Sequence, residues 1–130
     1  MNAEIRDIAI FTTLAAVAAT AVMLVPGVAI AWLLARRQFP GKSLVETVVS
    51  LPLVMPPVAT GLLLLWLFSR RGPAGALLAR FGIEIVFTPA AVVIAMAVMG
   101  LPLLVRTARA GFEQVTRRYE QIAKTLNAEP

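Results

Sequence analysis

Three long apolar segments without a single charged side chain dominate this chain of 130 residues. They cover residues 8–35, 47–69 and 85–105, and each exceeds the roughly 20 residues that a helix needs to cross about 30 Å of hydrocarbon. A cleavable signal peptide does not explain the first segment, because further apolar segments follow it. The sequence therefore predicts one domain of an all-α membrane protein, with three transmembrane helices at about 8–34, 44–68 and 88–105.

The residue types on which most enzymes depend are scarce. The chain has no cysteine, no histidine and only seven acidic residues, which are widely separated. These counts exclude a disulfide framework, a thiolate or imidazole metal site and histidine acid–base chemistry. The sequence also lacks a Gly-x-x-x-x-Gly-Lys-Ser/Thr loop, which would cradle nucleotide phosphates. We therefore expect no enzyme activity, no catalytic residue, no cofactor and no metal ion in this chain.

The basic residues indicate how the helices cross the membrane. In a membrane protein, a net charge of +5 is more typical of topology signals than of nucleic-acid binding. If the N-terminus is outside, eight basic residues lie on the cytoplasmic side: Arg36, Arg37, Lys42, Arg106, Arg109, Arg117, Arg118 and Lys124. Four then lie outside: Arg6, Arg70, Arg71 and Arg80. This bias predicts an outside N-terminus and places residue 130 in the cytoplasm.

The second apolar segment contains the stretch LPLVMPPVATG, with prolines at Pro52, Pro56 and Pro57. Proline removes a backbone donor and clashes with the preceding turn of a helix. In a bilayer, the freed carbonyls are tolerated where protein or a water-lined path surrounds them. We expect a kinked helix that faces the interior of the bundle, where the kink either shapes a pathway or serves packing alone. Thr60 and Gly61, just beyond, would allow a polar contact or a close helix approach.

Shorter features predict the connections between the helices. The sequence VPG at 25–27 is expected to bend the first helix, and the short loop around RRQFPGK should make the first two helices antiparallel neighbours. Residues 75–81 are candidates for a short interfacial helix, and Thr88 followed by Pro89 is a typical helix start. Glu46 is interpreted as a carboxylate near a helix N-terminus, where the helix dipole favours it.

The composition changes after Arg106, and the chain becomes amphipathic. Apolar side chains recur at steps of three and four residues, which place them on one helical face. They are Phe112, Val115, Tyr119, Ile122 and Leu126. Asn127 would end the helix, since asparagine tolerates the left-handed conformation. Such a helix could lie on the membrane surface, pack on the inner ends of the membrane helices, remain solvated, or fill a groove on another protein.

Two stretches together resemble a known family. LPLVMPPVATGLLLLWLFSRRGPAGALL resembles the second membrane helix and the following loop of the molybdate ABC transporter permease subunits. FTPAAVVIAMAVMGLPLLVRTARAGFEQVTRRYEQIAKTLNAEP resembles the next helix and the start of the cytoplasmic loop in the same family. The wider superfamily of binding-protein-dependent permeases carries a signature of the form E-A-A-x-x-x-G in that loop, which falls here on residues 121–127. Gln121 replaces the usual acid and Asn127 replaces the usual glycine.

The resemblance implies an incomplete ABC importer permease core, the N-terminal part of a permease whose family members continue into further membrane helices. It implies a homodimer in the bacterial inner membrane, surrounded by lipid, with a separate ATP-binding subunit below and a substrate-binding protein above. It implies a coupling helix in the region 106–130 that docks on the ATPase. The docking candidates are Tyr119, Glu120, Gln121, Ile122, Ala123, Thr125, Leu126 and Asn127.

Other functions stay open from the sequence. A permease for sulfate, thiosulfate or another oxyanion is the nearest alternative to molybdate. A second alternative is a small membrane interaction protein, derived from a truncated permease, that does not transport. Arg70 and Arg71 near the outer mouth could attract an anion or meet the binding protein.

Overall fold

The computed structural model describes residues 2–126, which form an all-helical chain. The predicted fold class is confirmed at this level. The helices are α1 (Ala3–Arg36), α2 (Lys42–Val54), α3 (Pro57–Phe68), α4 (Pro73–Ala79) and α5 (Pro89–Thr125). By length and composition, α1 and α5 can each cross a membrane, and a third span exists only if α2 and α3 together count as one.

The two long helices pack side by side, and small residues make the approach possible. Ala15, Ala19 and Ala31 of α1 are buried in this contact. A Cβ atom on Gly27 would lie 2.5 Å from Cδ2 of Leu104, so a larger residue there would require the Leu104 side chain to move. Lipid tails are as apolar as the side chains, so close van der Waals packing replaces the hydrophobic effect as the force that joins such helices.

The contacts also show that α1 and α5 run in the same direction. Met23 lies beside Gly100, and Gly27 lies beside Leu104. Farther along, Leu34 shares a buried cluster with Val105. Because the residue numbers rise together, the chain between the two helices has to return along them. The sequence predicts α1 and α2 as the antiparallel neighbours, but the principal neighbour of α1 is α5.

The return is made by α2 and α3, which are separated by a sharp break. Glu46 of α2 contacts Arg109 of α5, and Ser50 of α2 contacts Arg106 of α5. The residue numbers rise on one helix as they fall on the other, so α2 is antiparallel to α5. The axes of α2 and α3 differ by 115°. Met55 and Pro56 are extended, with ψ angles of 144° and 140°, because each precedes a proline that disfavours the helical conformation. A bend is predicted here, but the structure has two helices instead of one kinked helix.

Both long helices continue through positions that the sequence marks. Pro26 lies inside α1, which continues to Arg36, and the bend at 25–27 stays a prediction. The apolar part of the last helix continues through Arg106 without interruption, so the membrane segment and the amphipathic segment form one helix that ends at Thr125. Pro102 lies inside α5 four residues before Arg106, and the helix continues through it. A change from apolar to polar surface does not by itself end a helix.

The outer loop and the start of α5 follow the sequence closely. The short helix predicted at 75–81 is present as α4, and α5 begins with Thr88 at the N-cap and Pro89 at its first position. The Thr88 hydroxyl donates to the carbonyl of Ile85 rather than accepting from the first turn of the helix.

Candidate docking helix and its attachment to the bundle

The apolar face of the last part of α5 is divided between the bundle and an uncovered surface. Phe112 is half-buried and packs against the cluster of Ala31, Leu34 and Val105. The other four side chains of this face are exposed, at 47%, 69%, 45% and 73% for Val115, Tyr119, Ile122 and Leu126. We refer to these four residues as the apolar stripe. Nothing within residues 2–126 covers the stripe.

The residues at the signature positions form the end of α5. Gln121, Thr125 and the preceding Glu120 are exposed, and Ala123 is half-buried. Thr125 donates its hydroxyl at 2.8 Å to the carbonyl of Ile122, which also accepts from the backbone N–H of Leu126. Asn127, predicted to close the helix, lies outside the described residues.

Arg109 attaches this part of α5 to the start of α2. Its Nη1 donates to Glu46 Oε1 at 2.5 Å, and its Nε donates to Glu113 Oε1 at 2.8 Å. One turn earlier, Arg106 donates to the hydroxyl of Ser50 at 3.3 Å. Hydrogen bonds to Glu113 and then to Glu46 raise the pKa of Arg109 above its ordinary value, against the opposing effect of burial. The guanidinium therefore stays charged at every pH at which a protein is stable.

This attachment is the feature that the sequence interpretation missed. Glu46 was expected to respond to the dipole of its own helix, but it lies beyond the first turn of α2 and accepts from Arg109 of α5. One signal was present in the sequence. Glu46 precedes one charge-free segment and Arg109 follows another, which brings both to the same membrane face under the predicted topology. Opposite charges at one interface are candidates for a pair.

The pathway candidates are distributed along α2 and α3. Pro52 is half-buried in α2, whereas Pro56 and Pro57 are exposed at the break. Thr60 is 5% exposed, and its hydroxyl lies 3.5 Å from the carbonyl of Pro56. Gly61 has open space beside it rather than a close helix neighbour.

That open space is an apolar cavity of about 450 Å³ between α3 and the first turns of α1 and α5. Phe11, Gly61, Phe68 and Ala95 are among its lining residues. Of the pathway candidates, Gly61 lines this cavity, and the docking candidates lie at the far end of α5. The structure does not bring the two predicted sets of residues together.

The outer arginines have different surroundings. Arg70 forms an ion pair with Glu84 across the loop that contains α4, so its charge is already balanced. Arg71 is exposed. The hypothesis that both attract an anion therefore has less support for Arg70 than for Arg71.

Comparisons with known proteins agree with the resemblance found in the sequence. The model of the family "Binding-protein-dependent transport system inner membrane component" matches residues 27–130. The molybdenum transport system permease protein ModB of Escherichia coli strain K12 is 48% identical over 103 residues, which cover 78% of this chain and 45% of that protein. ModB of Haemophilus influenzae is 45% identical over 100 residues, 76% of this chain and 44% of that protein.

Sulfate permeases are also similar. The sulfate transport system permease protein CysT of Synechocystis is 39% identical over 117 residues, which cover 90% of this chain and 41% of that protein. The chain thus spans less than half the length of these relatives. Because the family model covers residues 27–130, this chain belongs to the inner membrane components of binding-protein-dependent transport systems, which are ABC transporter permeases.

Proposed function

We propose that this chain is the N-terminal part of the permease subunit of an importer that moves molybdate across the inner membrane, with energy from a separate ATPase subunit. The observation that carries the proposal is the uncovered apolar stripe at the end of α5. An amphipathic helix that continues out of a membrane span has the form of a segment that fills a groove on a partner. The family supplies the class of partner, since such permeases work with an ATPase and a substrate-binding protein.

The stripe is large enough to support docking. Full burial of a large apolar side chain is worth about 1.5–3 kcal/mol, and the stripe offers Val115, Tyr119, Ile122 and Leu126. Only part of that energy becomes affinity, because association also costs translational and side-chain entropy. Since α5 is one helix from Pro89 to Thr125, a partner that moves the stripe also moves the membrane part of the same helix.

The parallel arrangement of α1 and α5 supports three crossings of the membrane. If both long helices span in the same direction, the broken pair α2–α3 has to carry the chain back. An outside N-terminus and a cytoplasmic end of α5 then agree with the charge bias. Residues 1–130 contain no cysteine, so an introduced cysteine is the only one within this part of the permease.

We expect Asn2→Cys to react in intact cells with a membrane-impermeant maleimide, and Gln114→Cys to react only after the inner membrane is opened. Reaction of Gln114→Cys in intact cells would contradict this topology.

The break between α2 and α3 supports a role near the translocation path. A helix that stops at Met55 leaves backbone carbonyls without intrahelical donors, and a bilayer has no water to satisfy them. The exposed Pro56 and Pro57 are therefore expected to face further protein, a second copy of the permease or a water-lined path. Thr60 and Gly61 belong to the same region and stay pathway candidates, together with Pro52.

Docking on the ATPase is tested by changing the stripe. Ile122→Asp combined with Leu126→Asp should abolish copurification of the full-length permease with its ATPase, because two carboxylates cannot be buried unpaired in an apolar groove. The matched control is Arg117→Asp combined with Lys124→Asp, which places the same side chains on the opposite face of the helix and should leave the complex intact. Unchanged association of the first variant would contradict the proposal.

The substrate is tested by uptake. Molybdate is favoured because the two ModB relatives are 48% and 45% identical, against 39% for the Synechocystis CysT. Sulfate is the second candidate because the CysT match covers more of this chain. Vesicles that contain the full-length permease, its ATPase and its binding protein should accumulate molybdate, and an excess of sulfate should leave that uptake unchanged. Accumulation of sulfate instead would assign the chain to the alternative.

A further inference from the structure

Two hydrogen-bonded rungs connect the exposed part of α5 to the first half of the broken segment. Arg109 bonds Glu46 and Arg106 bonds Ser50, so the contacts are spaced about one turn apart on both helices. Two rungs on antiparallel helices fix the register of one helix against the other, which a single contact would not. We call these residues the α2–α5 clamp.

Arg109 is the stronger member of the clamp. It uses Nη1 for Glu46 on α2 and Nε for Glu113 on its own helix. Arginine suits this place because its planar guanidinium presents several donors in a fixed arrangement, and lysine would offer a mobile point charge. The bond to Glu113 holds the arginine side chain in place, so that little freedom is lost when it also binds Glu46.

The clamp is poorly explained by stability alone. The side chains of Arg109 and Glu46 are 31% and 36% exposed, and partly exposed ion pairs add little to the stability of a fold. The apolar contacts of Val45 and Val49 with the cluster around Leu34 already hold α2 in place. The clamp in addition fixes the position of α2 along the axis of α5, because it resists sliding of one helix past the other.

The position of the clamp connects the two candidate regions. On α5 it lies between the membrane part of the helix and the apolar stripe. On α2 it lies in the first turns, and α2 ends at Val54, where the 115° break begins. Displacement of the stripe would therefore pull on α2 through Glu46 and Ser50, and α2 would move against α3 at the break.

We infer that Arg109 is a positioning residue, which transmits movement of the docking helix to α2 and thereby to the break at Met55–Pro56. This inference rests on the proposed docking of α5 on an ATPase. It adds a residue and a route, since the apolar contacts hold α2 against α5 and the clamp resists sliding of one helix along the other. Glu46 is the receiving residue, and Glu113 holds the arginine in place.

The test uses the full-length permease assembled with its ATPase and binding protein, and measures molybdate transported per ATP hydrolysed. Arg109→Gln and Glu46→Gln should each copurify with the ATPase as the unaltered protein does, yet lower the transport ratio by at least about fivefold, the lower end of ordinary coupling between sites. Arg117→Gln, on the same helix and outside the clamp, is the control and should keep the ratio.

The reversed pair separates coupling from folding. Glu46→Arg combined with Arg109→Glu should restore at least part of the ratio that either neutral variant loses. If Arg109→Gln fails to assemble, Glu46→Gln carries the test, because it leaves the bond between Arg109 and Glu113 intact. An unchanged ratio in Glu46→Gln would overturn the inference while docking stands. Failure of the unaltered permease to bind any ATPase would instead overturn the proposed function.

Discussion

Gly75 lies where α4 folds back on the end of α3, and its replacement by alanine should destabilise the permease. A Cβ atom at this position would lie 2.5 Å from the carbonyl carbon of Phe68, and closer still to the carbonyl oxygens of Phe68 and Ser69. These atoms belong to the backbone, so they cannot rotate away as the end of a side chain would. The corner between α3 and α4 has to open before alanine fits.

The size of the effect follows from two opposing contributions. Forcing extra atoms into a packed site costs about 1–3 kcal/mol, and a backbone obstacle favours the upper half of that range. Alanine in place of a helical glycine raises the free energy of unfolding by roughly 0.5–1 kcal/mol, because the unfolded chain has less conformational entropy. We expect a net loss of about 2 kcal/mol for Gly75→Ala. Gly61 provides the matched control: it is also helical but has no neighbour within 4 Å, so Gly61→Ala should gain about 0.5–1 kcal/mol.

The assay is equilibrium unfolding of the full-length permease in mixed micelles with increasing SDS, followed by tryptophan fluorescence. Trp66 is a suitable reporter, because it lies in α3 one turn before the corner. The two variants should shift the free energy of unfolding in opposite directions. A stability of Gly75→Ala equal to or above that of the unaltered protein would show that α4 moves freely from α3, and would refute the argument from backbone contact.

Three further changes have defined outcomes. Ala31→Leu should cost about 1–3 kcal/mol in the same assay, because Ala31 is completely buried between α1 and its neighbours, whereas Val25→Leu on the exposed side should change stability by less than about 0.5 kcal/mol. Phe87→Gly should stabilise the loop by about 1 kcal/mol, because Phe87 has a φ of 61°, which strains a residue with a side chain, and its ring is 96% exposed. An unchanged stability would show that the ring makes a contact that offsets this backbone strain. Replacing Pro56 and Pro57 by alanine should narrow the 115° angle, and distances between spin labels in α2 and α3 that stay unchanged would show that packing sets the bend.

The features that the sequence predicts well are those with local causes. The apolar segments follow from composition, the start of α5 follows from Thr88 and Pro89, and the place of the break follows from consecutive prolines. Each depends on residues that are adjacent in the chain, and physical rules for such residues are strong. The stripe is in the same class, because a period of 3.6 residues is visible without any knowledge of neighbours.

The features that escaped prediction depend on which helices meet. The parallel contact of α1 with α5 relies on small residues such as Gly27 and Ala31, and an alanine-rich face does not reveal its partner. Glu46 and Arg109 are separated by 63 positions, so their pairing exists only once α2 lies along α5. The angle between α2 and α3 likewise depends on the ψ angles of Met55 and Pro56 and on how both helices pack. The rule for proline predicts only that the helix stops.

The continuous helix α5 and the broken pair α2–α3 differ in how they can move. α5 is uninterrupted from the cavity at one end to the apolar stripe at the other, so it can transmit a displacement over its whole length. The segment α2–α3 is broken in its middle, so it can change its angle without breaking a helix. A rigid helix and a jointed pair respond differently to the same displacement, and the clamp at Arg109 is the polar connection between them. On the proposed mechanism, we expect loss of this connection to leave docking of α5 intact and to reduce the movement that reaches the break at Met55–Pro56.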